Sequence, residues 1–133
     1  MKHLSFLMLL SAAALLISST TIAQNPHYNS GPCVSSDGRT ITAVITGLGQ
    51  GTITVQVTGD FDCVNPGDNE PPAWQDFNLS RDFAKKNGGN FNLSFTLSSL
   101  CNKKWTFRVQ NLAITIYQNG TKVLGPTSVS TCN

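Results

Sequence analysis

Thr52-Ile53-Thr54-Val55-Gln56-Val57-Thr58-Gly59-Asp60-Phe61-Asp62-Cys63 is the stretch on which the fold turns. Ile53, Val55, Val57, Phe61 and Cys63 fall on one phase, and Thr54, Gln56, Thr58, Asp60 and Asp62 on the other. A period of two sends successive side chains to opposite faces, so this segment is a strand with one buried and one wetted face. Gly59 sits on the inner phase, where a missing side chain marks a bulge.

The same period recurs on both sides. Thr40 to Thr46 places Ile41, Ala43 and Ile45 on one face, and Phe91 to Ser98 turns Phe91, Leu93, Phe95 and Leu97 inward. Lys104 to Gln110 carries Trp105, Phe107 and Val109 on one inward phase, so Trp105 is expected in the core, and the phase then shifts to Leu112, Ile114 and Ile116. Such a slip needs a bulge or a sheet crossing near Gln110-Asn111. Asn119-Gly120 is a hairpin signal, because a type I′ turn needs positive φ at both central residues. It returns the chain through Thr121 to Val129, interrupted at Gly125-Pro126. A shorter strand is expected over Gln75 to Ser80, with Phe77 and Leu79 inward. Gly47 to Gly51 reads as a hairpin turn, and Arg81 to Asn90 as a turn or a single helical turn. Val64 to Trp74, with Asn65-Pro66-Gly67 and Pro71-Pro72, has the composition of an irregular loop.

About seven short strands with turn signals between them predict an all-β fold: an antiparallel β-sandwich of immunoglobulin-like architecture, with a small barrel as the alternative. The organisation reads as a leader over 1–23, an irregular lead-in over 24–38 and a sandwich domain over 39–133. Met1-Lys2-His3, an apolar run from Leu4 to Ile17 and a small-residue stretch ending at Ala23 have the layout of a secretory signal peptide. The run is shorter than the roughly 20 residues of a membrane-spanning helix. The chain is therefore expected to be secreted, periplasmic or displayed at the cell surface, with no membrane span after cleavage.

Nine Lys and Arg residues stand against seven Asp and Glu. That balance gives no basic stripe of the kind nucleic-acid binders carry. Four cysteines, Cys33, Cys63, Cys101 and Cys132, form an even set in a short exported chain, which points to two disulfides. Zinc sites use close Cys pairs, whereas the nearest two here, Cys33 and Cys63, are 30 residues apart. Of the three possible connectivities, Cys63–Cys101 with Cys33–Cys132 is favoured. Cys63 continues the inward phase of its strand, Cys101 precedes another core strand, and Cys33 and Cys132 then join the two ends.

Cys63-Val64-Asn65-Pro66-Gly67-Asp68-Asn69-Glu70-Pro71-Pro72-Ala73-Trp74, followed by Cys101-Asn102-Lys103-Lys104-Trp105-Thr106, resembles a group of small exported bacterial proteins. These carry a Cys-x-Asn-Pro-Gly-x-Asn-x-Pro-Pro loop and a later Cys-x-x-x-Trp-Thr. The resemblance covers roughly residues 40 to 120. It implies a shared sandwich fold and supports the Cys63–Cys101 bridge, and it brings over no catalytic residue. Members often have Gly where this chain has Asp68 and Ala73.

The missing chemistry argues against an enzyme. Histidine is the usual general base, and once the leader is removed only His27 remains, in the lead-in. No nucleophile elbow, zinc-binding helix or phosphate-cradling glycine loop occurs, and no cofactor is expected. Asp60 and Asp62 share an outward face, a spacing more typical of a solvated strand than of paired catalytic carboxylates. With Asp68, and with Asn69 and Glu70 nearby, they are hard oxygen donors of the kind calcium prefers, so Asp60, Asp62 and Asp68 are candidate metal ligands. Trp74 in the irregular loop, Phe77 beside it and Tyr117 on the outward phase are the candidate ligand-binding aromatics. Asn78, Asn92 and Asn119 begin Asn-x-Ser/Thr triplets, which matter only in a glycosylating host.

Three readings of function follow. The first is a non-catalytic exported domain that binds a protein or cell-surface ligand through loop 64–74. The second is a structural subunit of an extracellular fibre or envelope layer, joined through a sheet edge. The third is a carbohydrate-binding module.

Overall fold

A computed structural model describes residues 25–133; the expected leader lies outside the described residues. The strands are β1 (His27–Val34), β2 (Thr40–Thr46), β3 (Gly51–Val64), β4 (Gln75–Lys85), β5 (Phe91–Thr96), β6 (Thr106–Gln118), β7 (Thr121–Ser128) and β8 (Ser130–Thr131). A single 3₁₀ turn, Ser98–Leu100, is the one helical element among the described residues. One sheet has the order β5-β2-β1-β8 and the other β4-β3-β6-β7. All pairings are antiparallel except β1 with β8. The expected all-β sandwich is the observed fold.

β3 forms the spine of its sheet, paired with β4 from Gly51 to Phe61 and with β6 from Ile53 to Val64. Its inner face delivers Ile53, Val55 and Val57, all fully buried, against Ile41, Ile45, Phe95 and Leu97 of the facing sheet. Burying a side chain of this size contributes about 2 kcal/mol each, so this interior alternation is what closes the two sheets over one core.

The slip in β6 is a bulge. Thr58 pairs with Ala113 and Asp60 with Gln110, so Asn111 and Leu112 together oppose Gly59. Asn111 takes a φ of 53° there. A Cβ on Gly59 would meet Leu112 Cδ2 at 2.8 Å and the Gln110 carbonyl oxygen at 3.0 Å. A side chain there would have to displace the Leu112 side chain and crowd the Gln110 carbonyl, so glycine suits the bulge. At the hairpin, Asn119 and Gly120 have φ of 47° and 83°, as a type I′ turn requires.

Both disulfides have the favoured pairing, Cys33–Cys132 with Cα atoms 4.9 Å apart and Cys63–Cys101 with 5.8 Å. These distances lie inside the ordinary range for a bridge.

The reading of the sequence is corrected at four places. Most of the lead-in is a strand. β1 pairs with β2 through two register shifts, and only Pro32 and Val34 are buried in it. Pairing with β2 holds it together with a sparse inner face of Tyr28, Pro32 and Val34, so the sandwich begins well before residue 39. β4 runs on to Lys85 where a turn was expected, because Arg81 and Lys85 occupy inner-face positions. The Arg81 guanidinium lies 4.8 Å over the Phe95 ring, and Lys85 Nζ donates to the carbonyls of Lys86 and Gly88. Gly47 to Gly51 is not a hairpin turn: β2 and β3 lie in different sheets, and the segment crosses between them with Leu48 buried. Finally, Trp105 is not core but 40% exposed, since it precedes the first paired residue of β6.

Candidate functional site

One end of the β4-β3-β6-β7 sheet gathers the features that set a binding surface apart. β3 ends at Val64, β4 begins at Gln75 opposite Phe61, and β6 begins at Thr106 opposite Val64. Trp74 and Trp105 each immediately precede one of those flanking strands, so both stand at the same end of the sheet. At 39% and 40% exposure they are the exposed large hydrophobic residues among those described.

The two indoles are held differently. Trp105 closes a turn in which its N–H donates to the Asn102 carbonyl at 3.0 Å. The Lys104 N–H donates to Asn102 Oδ1 at 3.0 Å, the side-chain-to-backbone bond that favours Asn in turns. Arg39 Nη2 reaches across from the other sheet to the Asn102 carbonyl at 3.1 Å and the Trp105 carbonyl at 2.7 Å. Its guanidinium carbon lies 5.4 Å from the Phe107 ring centroid. The Cys63–Cys101 bridge anchors the same turn from behind. Trp74, by contrast, ends a loop in which residues 65 to 76 are all exposed. That loop starts with a β-turn, Asp68 N–H to the Asn65 carbonyl at 3.1 Å, with Gly67 at φ 97°.

Charge divides between the two sides. Exposed Asp68, Glu70 and Asp76 lie within six residues of Trp74 along the chain, and exposed Lys103, Lys104 and Arg108 within three of Trp105. The end therefore presents an acidic and a basic flank, each beside an aromatic ring.

The candidate metal ligands separate. Asp62, Asp68 and Glu70 line one small cavity of about 110 Å³ under loop 65–74. Asp60 lies elsewhere on the outer face, with its Oδ2 accepting from Asn111 Nδ2 at 2.7 Å and Gln110 Nε2 at 3.3 Å. Bonding from Asn111, from Asp76 directly opposite and from Gln110 holds the Asp60 carboxyl below the usual carboxylate range. Asp62 is buried rather than wetted, and its Oδ2 has no hydrogen-bond partner. Among the described residues no three His, Cys, Asp or Glu side chains form a group that could hold a metal ion. The set Asp60, Asp62 and Asp68 is thus not one ligand cluster.

The aromatic candidates separate too. Phe77 is buried and packs edge-on against Phe61 with centroids 6.0 Å apart, so it is core and not a ligand contact. Tyr117 is half-buried, pairs with Thr54 and donates its hydroxyl to Gln56 Oε1 at 3.3 Å. Thr54 and Phe61 are seven residues apart on β3, roughly 23 Å at the rise of a strand, which puts Tyr117 at the opposite end from Trp74. The sequence reading missed Trp105, Arg39 and Asp76. The signal for Trp105 was present: it follows Asn102-Lys103-Lys104, a polar run that continues a turn rather than a strand.

No family model, no curated protein and no solved structure matches this chain. Among the described residues no helix is long and apolar enough to cross a membrane.

Proposed function

We propose that this is an exported, non-catalytic binding domain whose Trp74–Trp105 end engages a protein ligand at or outside the cell surface. The observation that carries the reading is the pair of exposed tryptophans at one end of a well-filled sandwich. Tryptophan is costly to leave in water and is enriched at the centres of interfaces. The acidic flank beside Trp74 and the basic flank beside Trp105 favour a polypeptide, which carries both signs of charge, over a neutral sugar. The two disulfides suit an oxidising compartment.

The test is covalent cross-linking of the tagged protein on the surface of the producing cell, followed by mass spectrometry. Parent protein is expected to capture one dominant partner, and the Trp74→Ala/Trp105→Ala variant to lose it. Capture unchanged by the double substitution sinks the proposal. A carbohydrate ligand is the second reading, supported by the same exposed indoles, since such rings stack on sugars. It predicts glycan-array binding that survives high salt and is lost in Trp74→Ala.

A further inference from the structure

The β4-β3-β6-β7 sheet has two flanks, and they are built in opposite ways. β4 forms one flank along its whole length, and its inner-face positions include Arg81 and Lys85. Inward-pointing charges on an edge strand discourage a further strand from adding. On the other flank, β7 joins β6 only from Ala113 onward. Thr106 to Gln110 pair with β3 on one side and, among the described residues, with no strand on the other. Their inner-face residues are Phe107 and Val109, and no charge points inward. The facing sheet's edge strand β8 is only Ser130–Thr131, and the nearer cover comes from the β1–β2 turn, where Gly38 lies against Phe107 and Val109.

A groove of about 340 Å³ runs along this unguarded segment. Apolar Phe107, Val109 and Leu112 share its lining with a larger polar part that includes Ser35, Gln110 and Thr131, and Arg108 is the one charged residue there. Backbone without a strand partner, with apolar side chains at alternate positions beside it, is the arrangement that receives an added strand: main-chain bonds give affinity and pockets read alternate side chains.

We infer that the groove accepts an extended strand of a partner polypeptide alongside Thr106–Gln110, with apolar residues at alternate positions and an acidic residue beside Arg108. The charge pattern selects this occupant over a second copy of the chain. Two copies pairing antiparallel about the centre of Thr106–Gln110 would set Arg108 directly against Arg108, and like charges directly opposite are unfavourable. A partner carboxylate there removes the conflict. The five residues of the open segment span roughly 17 Å, so the incoming segment needs about five or six residues. Trp74 takes no part in this surface, whereas Arg108 also belongs to the basic flank beside Trp105, so Val109→Lys and N-methylated peptides, which leave that flank intact, separate the two readings.

The test pans the disulfide-intact protein against a displayed library of random 12-residue peptides and measures the enriched sequences by fluorescence anisotropy. Enriched peptides are expected to alternate apolar with polar residues and to carry Asp or Glu. Their affinity is expected to fall at least tenfold in Val109→Lys, in Arg108→Glu, and when alternate peptide amides are N-methylated, and to hold in Trp74→Ala. Arg108→Glu should also redirect selection toward Lys- or Arg-bearing peptides; because Arg108 is exposed, this variant keeps the test valid if Val109→Lys misfolds. The inference is overturned by no enrichment, by peptides without alternation, by affinity indifferent to N-methylation, or by binding that Arg108→Glu leaves unchanged. Dimerisation of the parent that Arg108→Glu strengthens would assign the groove to a second copy and overturn it equally.

Discussion

The two ends of the sandwich divide the work of the molecule. At the end carrying the β6–β7 hairpin, polar side chains stitch the connections down. Gln118, buried in the core layer, accepts from the Gly49 N–H at 3.0 Å and donates to the Gln50 carbonyl at 3.4 Å. Asn119 Oδ1 accepts from the Thr52 N–H at 3.0 Å, and the Asn119 N–H returns a bond to the Thr52 carbonyl at 2.9 Å. Leu48 plugs the gap between the sheets. At the other end, a ten-residue connection from Asn65 to Trp74 lies wholly exposed, held by one turn and by anchors on its neighbours. The contrast teaches that one end is closed by polar stitching while the other is left uncovered, and loops borne by a rigid frame are where binding residues concentrate in general.

The comparison can be broken most forcibly at the covalent anchor. Replacing both Cys63 and Cys101 with Ser should lower unfolding free energy by about 3–4 kcal/mol, measured by denaturant titration. Hydrogen exchange should then quicken first at Phe107 and Val109 and last at Val55 and Ile114. Uniform acceleration would mean that the two ends do not open separately. At the stitched end, Gln118→Ala leaves the Gly49 N–H and the Gln50 carbonyl without these bonds and is expected to cost about 2 kcal/mol.

Smaller effects sharpen the contrast. Arg39→Ala removes two bonds to the Trp105 turn and a cation–π contact, at about 1–2 kcal/mol. It should also broaden the Trp105 indole resonance in an NMR spectrum while leaving that of Trp74 unmoved. Trp74→Ala should shift stability by less than about 0.5 kcal/mol, because it ends an exposed loop outside the core cluster. A thermal midpoint several degrees lower would show that the ring is a plug and not a contact.

Much of the frame was legible because alternation reports burial directly. The strand over Thr40–Thr46 has the bounds expected of it, and the phase slip at Gln110-Asn111 located the bulge. What escaped the reading lacked a regular apolar face. β1 has only a sparse inner face, so Tyr28-Asn29-Ser30 carries no hydrophobic pattern to find. The end of β4 turns Arg81 and Lys85 inward, where a period-two reading expects apolar residues. At the site, Trp74 was legible from its proline-rich loop, whereas Trp105 was absorbed into a phase that begins one residue later. Arg39 acts across more than sixty residues of sequence, and Asp76 meets Asp60 only through strand register. Neither relation leaves a local trace.

Cys33 and Cys132 sit side by side because β8 runs parallel to β1. A pull applied ahead of Cys33 and behind Cys132 therefore travels through sulfur and bypasses every strand between them. Unless that bond is reduced, tension can peel only the β1 residues ahead of Cys33 from β2, and the ladder between the two cysteines never bears the force.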